Sequence, residues 1–290
     1  MNVDIYLNKV KNGEISIVDY IKSVIKEARV LNKEYNFFNF ISENAIERAE
    51  ELEKNPKGKL AGLPVSVKDC ICVKNMESRA GSLILKGYNP VVNATVIERL
   101  EKEGAIIIGK TSQDEFGFGS FSVNTDNIPK NPFDKNRSCG GSSGGAAGFT
   151  SKTENAHVAI AESTGGSIAC PASFCGVAGL TPTYGVVSRY GLIDYANSLD
   201  KIGVIGKNIK DINPVFDVIY GKDEKDSTSL LPKFKDKKIT KIAVIKETLN
   251  VDKEIKDLVL NKVGRVDQVS LPLVSKYGLS CYYLISMAEA

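Results

Sequence analysis

Two glycine-rich segments constrain this chain more than any other feature of its sequence. The first is Gly140-Gly-Ser-Ser-Gly-Gly145, and the second is Thr164-Gly-Gly-Ser167, so that Ser142 and Ser167 are 25 positions apart. Glycine has no Cβ atom, so these segments allow tight backbone that approaches neighbouring groups closely. Taken alone, Thr-Gly-Gly-Ser is also typical of a flexible turn, and the rest of the sequence has to decide between these interpretations.

The hydrophobic pattern around these segments predicts an α/β fold. Leu63–Val67 and Ala105–Ile108 are short apolar runs that predict strands, and Ala94–Lys102 between them has helical spacing. Such alternation is typical of a central sheet flanked by helices. Residues 14–54 have apolar positions at helical spacing, which predicts two amphipathic opening helices, the first starting near Ser16.

We expect residues 1–290 to form one large α/β domain in three parts. Helices occupy about 1–55, a core follows over 56–220, and 221–290 is a charged connector with the start of a further part. The sequence stops inside a helical pattern without a stop signal, which predicts that the C-terminal part of a longer protein is missing. The last segment is predicted to hold a strand at Ile242–Ile245 and a helix at Val251–Leu260.

Charge and hydropathy argue against several classes of function. The formal net charge is +3 with a pI near 8.4, and lysines alternate with acidic residues, so tight nucleic-acid binding by this chain alone is not expected. The basic cluster Lys233–Lys241 is interpreted as a solvated loop. No apolar run approaches the roughly 18 residues of a membrane span, and no secretory segment follows Met1, so we expect a cytoplasmic protein.

The cysteines and the single histidine do not indicate a metal site. Six cysteines are present without a CxxC pair, and intracellular thiols are normally reduced, so we interpret them as small, mostly buried side chains. Cys70 and Cys72 could bind zinc in principle, but the chain has one histidine and no second cysteine pair. We therefore predict that the chain binds no metal.

One literal motif match is interpreted as accidental. Gly104–Thr111 fits the nucleotide-binding pattern GxxxxGK[ST], but its centre is a β-branched run that predicts a buried strand and leaves no flexible phosphate loop.

A serine nucleophile needs a neighbouring base, and the sequence offers two candidates. A Ser-His-Asp site would have to use His157, and a lone histidine is more often structural. The other base that can activate a serine is a lysine kept neutral by burial, and Lys68 follows the apolar run Leu63–Val67. A surface lysine at a strand end is the alternative interpretation.

Several segments in the same order resemble the amidase signature family. They are the two glycine-serine segments together with Leu63-Pro-Val-Ser-Val-Lys-Asp69, Gly109-Lys-Thr111, Asp114-Glu-Phe116 and Pro171-Ala-Ser-Phe-Cys-Gly176. The resemblance covers nearly the whole chain and implies a serine amidase with a Ser, cis-Ser, Lys triad.

The resemblance assigns the triad to three positions. Ser167 is the implied nucleophile, Ser142 the proton relay on a non-proline cis peptide, and Lys68 the base. Backbone amides of Thr164, Gly165 and Gly166 are expected to form the oxyanion hole, because glycine leaves amide donors unobstructed. We expect burial to lower the pKa of Lys68 below that of a free lysine, so that its amine can accept a proton.

The segment Ala161-Glu-Ser-Thr-Gly-Gly-Ser-Ile168, followed by Ala169-Cys-Pro171, resembles the archaeal form of the tRNA-dependent amidotransferase branch of that family. Three further runs resemble the same branch. They are Leu180-Thr-Pro-Thr-Tyr-Gly185, Val187-Ser-Arg-Tyr-Gly-Leu192 and Ala196-Asn-Ser-Leu-Asp200. This branch implies a glutaminase subunit that supplies ammonia to convert Glu-tRNA(Gln) or Asp-tRNA(Asn). It also implies two partner subunits, B and C, with charged tRNA bound through the complex. ATP and Mg are used by a partner, and no cofactor is expected in this chain.

Two positions depart from the family pattern, and two other functions stay open. Ala169 stands where most relatives have arginine, and Ala146 replaces a frequent serine. Both changes remove polar groups near the implied site, and neither removes a member of the triad. The residues that hold the glutamine α-groups are expected beyond position 290. The alternatives are a stand-alone amidase acting on small amides and an inactive fragment.

Overall fold

The computed structural model describes residues 1–231 and 241–290, which fall into two compact units, 1–231 and 232–290. The predicted α/β class is confirmed: a mixed sheet with flanking helices forms the first unit. The three-part division of the sequence stays a prediction. In chain order the regular elements of the first unit are α1 (Val3–Lys11), α2 (Ile17–Tyr35), β1 (Phe38–Ile41), α3 (Asn44–Glu53), β2 (Pro64–Lys68), α4 (Thr95–Lys102), β3 (Ile106–Thr111), a short 3-10 turn (Glu115–Gly117), α5 (Gly144–Lys152), β4 (Val158–Ser163), α6 (Ala169–Phe174), β5 (Ala178–Leu180), β6 (Lys201–Gly206) and α7 (Ile209–Ile219).

The six strands of the first unit form one sheet in the order β1-β3-β2-β4-β6-β5. Strands β3, β2 and β4 are mutually parallel, while β1, β6 and β5 each pair with an antiparallel neighbour. All residues of β2, β3 and β4 are buried, which explains the apolar runs with which these strands begin. Because β2 and β4 are parallel neighbours, their carboxyl ends lie at the same edge of the sheet.

The opening of the chain contains more structure than the hydrophobic pattern predicted. Helices α2 and α3 are the two predicted helices, and the Ser16 hydroxyl accepts a hydrogen bond from Asp19 N at 3.1 Å as the first helix begins. Two elements were missed: α1 precedes them, and β1 lies between them. Strand β1 is short and pairs at the sheet edge with β3, so its conformation depends on a distant partner.

The segment that matches GxxxxGK[ST] is a strand and not a phosphate-binding loop, as predicted. Its central residues form β3, a buried strand paired on both sides, and the backbone groups of a phosphate-binding loop are not available there.

The second unit contains a small parallel sheet and two helices. Its described elements are β7 (Ala243–Ile245), a 3-10 turn (Lys246–Leu249), α8 (Lys253–Val263), β8 (Asp267–Val269) and α9 (Pro272–Glu289). The predicted strand at 242–245 and helix at 251–260 are both present with shifted ends. Most of the Lys233–Lys241 cluster lies outside the described residues. Among residues 1–231 and 241–290, no helix combines the length and the apolar character needed to span a membrane.

Candidate active site

Lys68 is the last residue of β2, and its side chain is entirely buried. Its Nζ atom lies 2.7 Å from Ser142 Oγ, 2.9 Å from Glu162 Oε2 and 3.1 Å from the Glu162 carbonyl oxygen. These three contacts match the three N–H donors of an ammonium group. The surface-lysine interpretation is therefore wrong, because the parallel neighbour β4 covers the end of β2 and supplies two of the three contacts.

Ser142 lies in the loop that leads into α5, and the Gly141–Ser142 peptide bond is cis, as the family resemblance implied. Buried Asp114 organises this loop. Its backbone N–H donates to the Ser142 carbonyl at 3.3 Å, and its carboxylate accepts from the amides of Ser122 and Asn124 at 2.9 and 3.0 Å. The Ser122 hydroxyl then donates to the Gly140 carbonyl at 2.9 Å. This network fixes the position of the Ser142 hydroxyl opposite Lys68.

Ser167 follows the Thr-Gly-Gly segment, directly before α6, and is 7% exposed. Its carbonyl oxygen accepts a hydrogen bond from Ser143 N at 3.3 Å, so the two glycine-serine segments lie side by side. Lys68 and Ser142 are thus joined by their side chains, whereas the Ser167 segment meets the Ser142 segment through the backbone. In residues 1–231 and 241–290, no hydrogen bond joins the hydroxyls of Ser142 and Ser167.

The Thr164-Gly-Gly turn has the shape that an approaching carbonyl group needs. Gly166 has φ +139°, which an L side chain rarely adopts, and the space beside its Cα is open to 4 Å. Its amide donates to the Ser163 hydroxyl at 3.3 Å in this state. An oxyanion bound there would have to replace that long hydrogen bond. The oxyanion hole at Thr164, Gly165 and Gly166 stays a prediction.

Glu162 is the site residue that the sequence interpretation missed. It lies on β4 directly after the apolar run Val158–Ala161, and its side chain is buried against Lys68. An acidic residue in a fully buried strand is a signal in itself, because a charge seldom lies there without a partner. Its partner could not be read from the sequence, since the two residues are 94 positions apart.

The expectation of a lowered Lys68 pKa is wrong because of this carboxylate. Desolvation lowers the pKa of Lys68, but the charge and hydrogen bond of Glu162, together with the more distant Asp200, outweigh it and raise the pKa above the ordinary lysine value. The buried ion pair holds the amine in its charged form at rest. A mechanism that uses Lys68 as a base therefore has to say where that proton goes.

Asp200 and Thr164 extend the charged cluster away from Lys68. Thr164 Oγ1 lies 2.8 Å from Glu162 Oε1 and 2.7 Å from Asp200 Oδ1. The other oxygen of Asp200 accepts the amides of Tyr195 and Ala196 at 2.8 and 3.0 Å. Burial, and then the nearby charge of Glu162, raise the pKa of Asp200 to about 6. Two carboxyl groups thus share one threonine hydroxyl behind Lys68.

His157 has the structural role that the sequence suggested. Burial lowers its pKa to about 3, so the ring is neutral at physiological pH. Its two nitrogens contact the Ser66 hydroxyl at 2.9 Å and the Thr150 hydroxyl at 3.3 Å, and the ring packs edge-on against Phe149. These contacts use both ring nitrogens within the core, which leaves Lys68 as the candidate base.

The chain belongs to the amidase family, whose profile matches residues 19–290. More particularly, it is similar to the A subunit of the glutamyl-tRNA(Gln) amidotransferase of Methanosarcina mazei, with 43% identity over 285 residues that cover 92% of this chain. It is 39% identical to the A subunit numbered 2 of the corresponding enzyme of Clostridium acetobutylicum, over 100% of this chain. The chain spans 58% and 66% of the lengths of these two curated relatives.

Solved structures support the same relationship. The A subunit of the glutamyl-tRNA(Gln) amidotransferase of Thermotoga maritima superposes with a TM-score of 0.85 at 32% identity, covering 100% of this chain and 65% of that one. A peptide amidase bound to the inhibitor chymostatin superposes with a TM-score of 0.86 at 26% identity, covering 96% of this chain and 63% of the amidase. The amidase signature fold predicted from the sequence is confirmed.

Proposed function

We propose that the chain acts as the glutaminase subunit of a tRNA-dependent amidotransferase, with Ser167 as nucleophile, Ser142 as relay and Lys68 as base. The contact of 2.7 Å between Lys68 Nζ and Ser142 Oγ carries this proposal, because it joins a buried lysine to a serine beside the Thr-Gly-Gly-Ser segment. Archaeal relatives at 42–43% identity that are named as this subunit support the choice of substrate.

In the proposed reaction, Ser167 Oγ attacks the side-chain amide carbon of glutamine. Its proton passes to Ser142 Oγ as Ser142 gives its own proton to Lys68 Nζ. The electron pair displaced onto the carbonyl oxygen is stabilised by the backbone amides of Thr164, Gly165 and Gly166. The C–N bond then breaks, the proton returns through Ser142 to the leaving nitrogen, and ammonia departs. Water then attacks the glutamyl ester and its proton passes through Ser142 to Lys68. The C–O bond to Ser167 breaks, a proton returns through Ser142 to Ser167 Oγ, and glutamate departs.

The ammonia would be used outside this chain. We propose that it passes to partner subunits B and C, which bind charged tRNA and use ATP and Mg to activate the tRNA-linked carboxylate. The cytoplasm is the proposed compartment, which is consistent with six cysteines that are all free thiols. A stand-alone amidase is the second candidate, and the similarity to a peptide amidase favours it.

A glutaminase assay with and without purified subunits B and C tests the proposed function. We expect glutamate release to depend on, or rise at least about tenfold with, the partners, because partners that bind the active form of the chain stabilise that form. Hydrolysis of small amides that is unaffected by the partners would identify a stand-alone amidase. No turnover of either substrate, although the chain and its partners are folded, would indicate an inactive fragment.

A further inference from the structure

The Lys68 amine has three acceptors in this structure, and only one of them can take a proton away. The Glu162 carbonyl oxygen is not basic, and the Ser142 hydroxyl is the group that Lys68 has to deprotonate. The third acceptor, Glu162 Oε2 at 2.9 Å, is a carboxylate. Because Lys68 is wholly buried, solvent does not reach the amine directly.

The other oxygen of Glu162 is held by a hydrogen-bonded chain. Thr164 Oγ1 has one proton but lies within 2.8 Å of two carboxyl groups, Glu162 and Asp200. Both contacts can be hydrogen bonds only if one of the carboxyl groups is protonated. Burial raises the pKa of Asp200 to about 6, so only below about that pH does Asp200 donate to Thr164 while Thr164 donates to Glu162 Oε1. At higher pH the single proton of Thr164 serves one carboxylate at a time, and both contacts still hold the Thr164 hydroxyl between the two groups. In either state Glu162 Oε2 is the oxygen that faces Lys68 Nζ, at 2.9 Å.

We propose that Glu162 is a positioning residue that accepts one proton from Lys68, and that Thr164 and Asp200 orient its carboxylate for this transfer. This inference rests on the proposed role of Lys68 as base. One N–H bond of Lys68 breaks and one O–H bond forms on Glu162 Oε2, which leaves a neutral amine beside a neutral carboxylic acid. The net charge of the pair is zero before and after the transfer. The buried pair can therefore provide a neutral Lys68 amine as the base without exchanging a proton with solvent.

The neutral amine then accepts the proton of Ser142 as Ser142 accepts that of Ser167. Lys68 becomes an ammonium ion while the substrate carbonyl becomes an oxyanion, so the two new charges balance within the site. When the proton returns to the leaving nitrogen, Lys68 is neutral again. Glu162 keeps the transferred proton throughout and does not touch the substrate.

The other titratable groups that face the pair do not offer the same route. Cys70 follows β2, and burial raises the pKa of its thiol, which keeps it protonated. Lys201 on β6 donates to the Thr164 carbonyl at 3.2 Å and to the Leu199 carbonyl, neither of which belongs to the pair. Asp200 reaches Lys68 only through Thr164 and Glu162. Glu162 is thus the acceptor in direct contact.

The pH dependence of Ser167 labelling by an alkyl fluorophosphonate tests this inference. The reagent reports activation of the serine without requiring glutamine recognition, and mass spectrometry measures the rate between about pH 5 and about pH 10. In the unaltered chain we expect labelling to become independent of pH above about 7. In Glu162→Gln, Lys68 has to lose its proton to solvent. Its labelling rate at pH 7 should fall at least about tenfold and recover at higher pH. The rising limb, which is the part of the profile where the labelling rate increases with pH, should therefore move to higher pH.

The direction of that movement separates the possible roles of Glu162. If Glu162 only stabilised the ammonium ion, the unaltered chain would rise steeply up to about pH 10 and Glu162→Gln would move the limb to lower pH, which overturns the inference. An unmoved limb would overturn it as well. Glu162→Asp keeps a carboxyl group and should retain the limb of the unaltered chain at a reduced rate. If Glu162→Gln does not fold, the profile of the unaltered chain decides alone. A labelling rate independent of pH above about 7 supports the inference, and a rate that rises up to about pH 10 overturns it.

These outcomes are distinct from failure of the proposed function. Absence of labelling on Ser167 in the unaltered chain would contradict the serine nucleophile itself, and this inference with it. Labelling of Ser167 with a profile that Glu162→Gln leaves unchanged would contradict only the role of Glu162.

Discussion

Ser167→Ala is expected to lower amide hydrolysis by at least about three orders of magnitude, equivalent to about 4 kcal/mol of transition-state stabilisation. In the proposed mechanism the hydroxyl forms the covalent ester, and alanine has no atom that can replace it. The fold should survive, because Ser167 meets the neighbouring segment through its carbonyl oxygen, which alanine keeps. The measurement is glutamate release by the chain with its partner subunits, alongside a thermal melt.

Ser173→Ala is the matched control for that change. Ser173 is an exposed serine on α6, six positions after Ser167, so the same substitution removes a hydroxyl from the surface. Its activity and melting temperature should both stay near those of the unaltered chain. Turnover above a few per cent in Ser167→Ala, with the control unchanged, would contradict the assignment of the nucleophile.

Lys68→Arg is expected to be as inactive as Lys68→Ala, although it keeps the positive charge. Guanidinium does not give up its proton at physiological pH, so it cannot receive the proton of Ser142. Lys68→Ala leaves the buried carboxylate of Glu162 without its partner and should also lower stability by about 3–5 kcal/mol. Activity assays and denaturant unfolding of both variants measure the two effects separately.

Two controls separate the chemistry of Lys68 from its burial. Lys110 is also wholly buried, on β3, and donates to the Asp69 carbonyl and the Ser78 hydroxyl. Lys110→Arg should lower stability while the remaining folded protein keeps its activity. His157→Gln should behave in the same way, because that ring is neutral and bonded within the core. Activity retained in Lys68→Arg, or lost in folded His157→Gln, would move the base from Lys68 to another residue.

The parts of the fold that could be predicted are those whose signal is local. Strand β2 was found from its apolar run, which placed Lys68 at a strand end, and α2 from its helical spacing and its serine cap. Strand β1 was missed because four residues at a sheet edge acquire their conformation from pairing with β3. The residues of the proposed triad were chosen from several motifs that occur in one order along the sequence.

The electrostatics of the site could not be predicted, because they depend on which strands are neighbours. Burial alone suggested a neutral Lys68, and burial does act in that direction. The parallel pairing of β2 with β4 brings Glu162 against the same amine and reverses the net effect. The sequence pattern predicts the two strands, but the distance between Lys68 and Glu162 exists only in the folded sheet.

Peptide mapping after reaction with a glutamine-derived electrophile tests the central claim most directly. An amide transferred through a serine passes through a covalent ester, so the reagent should trap the residue that forms it. We predict one adduct, on Ser167 within the peptide Thr164–Ile168, which is absent from Ser167→Ala. An adduct on Cys139 or Cys170 that persists in Ser167→Ala would contradict the account and indicate a thiol-dependent glutaminase.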